Sequence, residues 1–288
     1  MTKSETIERL KIDLETRGKS EETVRNYCMH ARLYQEYYDK SADEMGEAEI
    51  SQYLHYLITE KGLAPASVNA QNSSLRFLYG VTLDRVINAR KVPRIKHIRS
   101  IPDILNKDEL GYLFYLFNDL KYKALFMTIY GSGLRISEAL NLKVRDIDSK
   151  ENRIIIRKGK GGRDRFALLP QRTLDVLRRY WKESRSKDWL FVDGQGEQIK
   201  MRAAQDAFKR VVKKSGIPKH ITVHTLRHCF ATHLLNEGKN VFQIKRLLGH
   251  VRIDTTTWYL QLTNSETLKL TSPLDSFKAE TGEEEVYA

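Results

Sequence analysis

The sequence predicts an all-helical bundle over residues 1–86 followed, over 102–272, by a mixed α+β, mainly helical domain with a small antiparallel sheet. Three observations lead there. Apolar residues recur at helical spacing throughout the first part. In the second part, a pair of apolar runs around a glycine-rich turn marks a β-hairpin. Between the two parts, residues 88–102 (NARKVPRIKHIRSIP) are rich in Lys and Arg, carry two prolines and no acid, and place an interdomain linker at 87–101. Residues 273–288 form an acidic tail.

Each element has its own signal. Ile7, Leu10 and Leu14 share one helical face, and Gly18 sits where that helix would stop. Ser20 with Glu21 and Glu22 opens a second helix, whose face carries Val24, Tyr27, Cys28, Ala31, Tyr34 and Tyr38. That tyrosine-rich face reads as core rather than as a ligand box. A third helix covers about 47–58 and buries Ile50, Leu54 and Leu57. Pro65, in a first turn after Gly62, opens a fourth that runs through Leu75, Leu78 and Tyr79. In the second part, helices are expected over 106–117 and 122–130, the latter ending at Gly131-Ser132-Gly133, and another opens over 135–140. Runs 153–157 and 166–169 flank KGKGGRDR as the hairpin. Helices follow at about 171–182, 200–215, 224–236 and 241–248.

Composition removes several classes. Cys28 and Cys229 are the only cysteines, which excludes a disulfide framework and a Cys-rich zinc site. No apolar run approaches the ~18 residues of a membrane span. The charged N-terminus does not read as a secretory signal, so a cytoplasmic location is expected. The formal charge of +12 is uneven: net +2 over 1–100, +14 over 101–272 and −4 over 273–288. A basic body of this kind attracts polyanions through counterion release, although a solvated basic surface satisfies the same count.

Chemistry-bearing side chains gather at the ends of the expected elements. Arg135 follows a glycine pair that lets the backbone turn sharply, and Lys160 sits at the hairpin tip between Gly159 and Gly161. His224 and Arg227 share a helix face at i, i+3, His250 follows a helix-ending Gly249, and Tyr259 comes nine residues later. His224 and His228 at i, i+4 could offer zinc two ligands, but no further ligand of matching geometry follows; His228, Cys229 and His233 read as structural. Two Arg, two His, a Lys and a Tyr have a joint use in phosphodiester chemistry. Guanidinium forks stabilise charge on the equatorial oxygens of a pentacovalent phosphorus without a metal. A phenol, with a pKa near 10, attacks only when positioned beside a proton acceptor such as His250. A lysine can protonate the leaving oxygen. No metal or other cofactor is expected.

Arg135 in GLRISEAL, Lys160 in GKGGRDR, His224 and Arg227 in HTLRH, His250 in LLGH and the following Tyr259 together resemble the signature of the tyrosine recombinase (phage integrase) family. The resemblance spans about 98–272. Residues 1–85 more loosely resemble the helical, SAM-like core-binding domain that precedes it in the compact Xer type. It implies that the two domains clamp double-stranded DNA and that Tyr259 forms a 3′-phosphotyrosyl link, freeing a 5′-hydroxyl. Arg135 and Arg227 would hold the scissile phosphate, Lys160 would protonate the leaving oxygen, and His224 and His250 would stabilise the transition state and handle the tyrosine proton. Glu138, one turn after Arg135, would help orient the site. Four protomers would synapse two DNA sites and exchange strands through a Holliday junction, as in resolution of chromosome or plasmid dimers; an accessory protein stays unspecified. Two other readings share these features: a topoisomerase-like enzyme that nicks and rejoins without synapsis, and a DNA-binding protein without catalysis, which would be indifferent to Tyr259→Phe.

Overall fold

The computed structural model describes residues 1–96, 102–157, 164–249 and 256. The chain divides into two units, Met1–Ser100 and Ile101–Ala288. In the first, α1 (Lys3–Thr16) starts at a reciprocal cap: the Thr2 hydroxyl accepts from the Glu5 N–H while the Glu5 carboxylate accepts from the Thr2 N–H. Its Ile7, Leu10 and Leu14 are buried, and it packs on α2 (Glu21–Tyr38), which is capped by Ser20 and closed by Asp39 in the left-handed conformation. Helices α3 (Glu47–Thr59) and α4 (Pro65–Phe77) complete the bundle, with a π-turn over Leu78–Thr82 carrying α4 onward. The tyrosine face is core, as expected. Tyr34 and Tyr79 are fully buried with hydroxyls 3.2 Å apart, and Tyr79 donates to the Ala42 carbonyl at 2.8 Å. Buried hydroxyls satisfied in this way cost little and fix one packing arrangement.

The segment expected as a linker is anchored at its start. Val92 is buried in the bundle core. The Asn69 side chain both accepts from the Ile95 N–H and donates to the Ile95 carbonyl, and Asn72 donates to the Pro93 carbonyl. Apolar Val92 and Ile95 outweigh the surrounding charges, so the chain through residue 96 belongs physically to the bundle. Residues 97–101 lie outside the described residues.

The second unit is built around α6 (Leu120–Ser132). Ala124, Leu125, Phe126, Thr128, Ile129 and Ser132 are all buried, covering more of the helix than a single amphipathic stripe. It is touched by α5 (Lys107–Tyr115), α7 (Ile136–Leu140), α8 (Gln171–Ser184), α9 (Met201–Ser215) and α10 (Val223–Asn236). An antiparallel sheet joins β1 (Ile147–Asp148), β2 (Arg153–Ile156) and β3 (Arg165–Leu168) in that order, pairing Ile154 with Ala167 and Ile156 with Arg165. Ile154, Ile156 and Ala167 are buried while Phe166 and Leu168 are exposed, so the odd-numbered residues of β3 face inward. A further helix, α11 (Val241–Leu248), packs on α10 through Ile244 and Leu248 and ends at left-handed Gly249. No helix among the described residues is long and apolar enough to cross a membrane.

Candidate active site

The turn between α6 and α7 sets the first arginine. Gly133 has φ +62°, and a Cβ there would stand 2.4 Å from Phe230 Cδ1 and 2.9 Å from Leu248 Cδ2. Only glycine fits both the dihedral and the space. The reversal leaves Arg135 as the residue that caps α7. Glu138, three residues on, folds back: its Oε2 accepts from the Arg135 N–H and its Oε1 from Arg135 Nη1, both at 2.8 Å.

Two further guanidiniums reach the same carboxylate. Arg165, first residue of β3, donates Nη2 to Glu138 Oε2 and Nη1 to the Leu247 carbonyl, each at 2.8 Å. Arg227, on α10, lies 3.6 Å from Glu138 Oε2 and donates at 2.6 Å to the carbonyls of Gly133 and Leu248. Side-chain exposure grades the three: 25% for Arg135, 12% for Arg165 and 1% for Arg227, with Glu138 at 8%. Arg135 therefore presents the most accessible guanidinium, while Arg227 is a charge fixed beneath the surface.

Burial alone would raise the Glu138 carboxyl. Arg165, the Arg135 N–H, Arg135 and Arg227 overrule it, and the group titrates below the ordinary carboxylate value. Three positive charges thus converge on one ionised carboxylate among the described residues, giving the local excess that an incoming anion requires.

His224, exposed near the start of α10, stands edge-on to half-buried His228 with ring centroids 4.4 Å apart. Loss of hydration, then the charges of Arg227 and Arg135, lowers the His224 pKa. Burial, with help from His224 and Arg227, pushes His228 down to about 4. Both shifts favour the neutral ring, which can accept a proton or donate a neutral hydrogen bond. The zinc alternative gains no third ligand, because no group of three or more His, Cys, Asp or Glu among the described residues could hold a metal ion. Cys229 is buried and accepts from the Leu105 N–H at 3.3 Å. His233 bridges the Tyr130 hydroxyl and the Leu105 carbonyl, 2.9 Å from each.

Of the residues expected to form the site, Arg135, Glu138 and Arg227 are brought together, and the charges of Arg227 and Arg135 reach His224. Lys160, His250 and Tyr259 lie outside the described residues. Arg165 was missed from the sequence. Its signal was the β3 alternation, which puts Arg165 on the inward face with Ala167, where an unpaired charge is costly and a partner is therefore implied.

Residues 103–266 match the phage integrase family, and residues 7–89 match its N-terminal SAM-like domain. An integrase/recombinase of Sinorhizobium fredii, y4qK, is 37% identical over 93% of this chain and 88% of its own length. The tyrosine recombinase XerA of Thermococcus kodakarensis is 32% identical over 90% of this chain and 92% of its own. A lambda integrase dimer bound to a COC′ core site shares the fold, with a TM-score of 0.74 over 92% of this chain and 98% of that one, at 17% identity. The expected two-part helical and α+β architecture thus has its counterpart in known proteins, and the chain belongs to the phage integrase family of tyrosine recombinases.

Proposed function

We propose that this chain is a site-specific recombinase that cuts and rejoins double-stranded DNA through a phosphotyrosine at Tyr259. The observation that carries the reading is the convergence of Arg135 and Arg227 on Glu138, two guanidiniums that also add to burial in lowering the pKa of His224. The Tyr259 oxygen attacks the scissile phosphorus while His250 or His224 takes its proton. Arg135 and Arg227 stabilise the charge that builds on the non-bridging oxygens. The phosphorus–oxygen bond to the 5′ side breaks, and Lys160 supplies the proton that leaves with the 5′-hydroxyl. The 3′ end stays on the tyrosine, so attack by another 5′-hydroxyl restores a phosphodiester without an outside energy source. The bundle, which includes the chain through residue 96, acts as a DNA-binding domain, and residues 102–272 act as a catalytic domain. Four protomers exchange strands through a Holliday junction in the cytoplasm, and dimer resolution of the Xer kind is the task supported by the likeness to XerA.

A nicked duplex tests the chemistry directly. With a nick placed just beyond the cleavage point, the short 5′-hydroxyl fragment diffuses away and the adduct persists on a denaturing gel. Fragments of the source genome should yield a covalent adduct with the wild-type protein and none with Tyr259→Phe. Tight binding of every fragment with no adduct would favour the non-catalytic reading. Adducts formed with relaxation of supercoils but no exchange between two sites would favour the topoisomerase-like one.

A further inference from the structure

Arg165 has a place that neither the catalytic signature nor charge counting assigns. Its guanidinium spans two separate segments of the second unit, binding Glu138 at the start of α7 and the Leu247 carbonyl at the end of α11. The backbone at Gly249 is shaped to admit it: a Cβ there would fall 2.6 Å from Arg165 Nε and 2.7 Å from Cδ, and the residue sits at φ +64°. Arg227 makes a parallel connection one layer away, from the Gly133 carbonyl to the Leu248 carbonyl. The two arginines therefore tie together the same two pieces of chain, 133–138 and 247–249. One piece carries Arg135, and the other leads directly in sequence to His250.

We infer that Arg165 is a positioning residue of the recombination reaction, a strut that fixes the Arg135–Glu138 pair relative to the end of α11 and so sets the spacing of the groups that meet the scissile phosphate. This rests on the recombinase reading above. The two bonds leave the planar fork at a fixed angle, which a lysine cannot reproduce: one ammonium on a flexible stem can neutralise Glu138, but it does not hold the Leu247 carbonyl in the same geometry. Arg165 is 12% exposed against 25% for Arg135, so its guanidinium is the more enclosed of the two.

The test uses Arg165→Met, which keeps the stem and removes the fork, and Arg165→Lys, which keeps the charge. Amide hydrogen exchange on the protein alone should quicken at 135–138 and 247–249 in both variants. On the nicked duplex that gives the wild-type adduct, single-turnover adduct formation at saturating DNA should fall roughly 10- to 100-fold, the range a displacement of ~1 Å produces. The Kd for the same duplex should stay within about twofold, because the Arg165 guanidinium is committed to Glu138 and the Leu247 carbonyl and is largely covered. Unchanged exchange in both segments overturns the proposal whatever the activity. Faster exchange with wild-type cleavage overturns it too, and so does a loss of affinity that accounts for the whole defect. Full recovery by Arg165→Lys would show that charge alone is required and would equally refute the strut. If the wild-type protein forms no adduct on any duplex, the recombinase reading fails, and the exchange result still decides whether Arg165 holds the two segments.

Discussion

Replacing Gly133 by alanine isolates how tightly the turn before Arg135 is constrained. Two costs add. A left-handed alanine costs about 1–2 kcal/mol. Its Cβ would meet Phe230 Cδ1 at 2.4 Å, Phe230 Cε1 at 2.5 Å and Leu248 Cδ2 at 2.9 Å, all side chains of a packed layer, and such overpacking costs about 1–3 kcal/mol. The unfolded chain also loses freedom, which returns roughly 0.4–1 kcal/mol. The net destabilisation is about 2–4 kcal/mol, or a fall of roughly 5–15 °C in Tm for a unit of this size. Gly216→Ala is the matched control, since Gly216 has φ +66° but nothing within 4 Å of its Cβ, so only the dihedral cost applies. The assay is simple because Trp181, Trp189 and Trp258 all belong to the second unit, so tryptophan fluorescence follows that unit's unfolding alone. If Gly133→Ala melts no lower than Gly216→Ala, Phe230 and Leu248 yield without cost. The carbonyl that receives Arg227 would then not be held in place by packing, contrary to the argument made for the site.

Three further outcomes are expected. Cys28 and Cys229 are both buried, and burial raises both thiols, Cys229 to about 11; an aromatic disulfide reagent at pH 8 should therefore label each only as its own unit unfolds, and rapid labelling of the native protein would contradict this. Below about pH 6.5 the unfolded chain protonates His228 while the folded ring, held near 4 by burial, does not, so stability is retained above 6.5 and declines as the pH falls toward 4. His228→Asn should flatten that decline in a urea titration, and an unchanged pH slope would refute it. Glu138→Gln removes the carboxylate shared by three guanidiniums and should destabilise the second unit by about 3–5 kcal/mol, with sulfate raising Tm more in the variant than in wild type; a variant as stable as wild type would show that the arginines do not depend on it.

Periodicity made the helices legible because each buries one stripe: Ile7, Leu10 and Leu14 are inward on α1, and the Val24, Cys28, Ala31, Tyr34 row is inward on α2. The hairpin was legible because a β-branched run and a second apolar run flank glycines. Strand β1 was not, since two residues carry no period. The docking of 88–96 was hidden by its charges, although Val92 and Ile95 gave the signal; an apolar residue among lysines is evidence of a seat, and net charge averages it away. Arg135, His224 and Arg227 could be picked out as residue types at helix ends. Their unequal burial could not be seen, because it depends on which backbone carbonyls α6, α10 and α11 bring together in space.

That inequality bears on how the site works. Removing the Arg227 guanidinium from water costs several kcal/mol, and the Glu138 carboxylate at 3.6 Å repays only part of it. The Gly133 and Leu248 carbonyls at 2.6 Å repay more, as dipoles that attract the cation without cancelling its charge. Had a second carboxylate done that work, the cluster of three guanidiniums would have kept less of its positive excess and pulled less strongly on phosphate. Carbonyl seats let the protein hold Arg227 rigidly and keep it electrically positive. Glu138, shared among three guanidiniums, prevents their mutual repulsion from opening the turn at Gly133. A site assembled in this way has its charges in position before the phosphate gains negative charge, so little reorganisation accompanies the transition state. In the proposed reaction the gradient of exposure has a use: Arg135 meets the phosphate from the most accessible position, Arg227 does so from a seat fixed beneath the surface, and Arg165 keeps the Arg135–Glu138 pair in place.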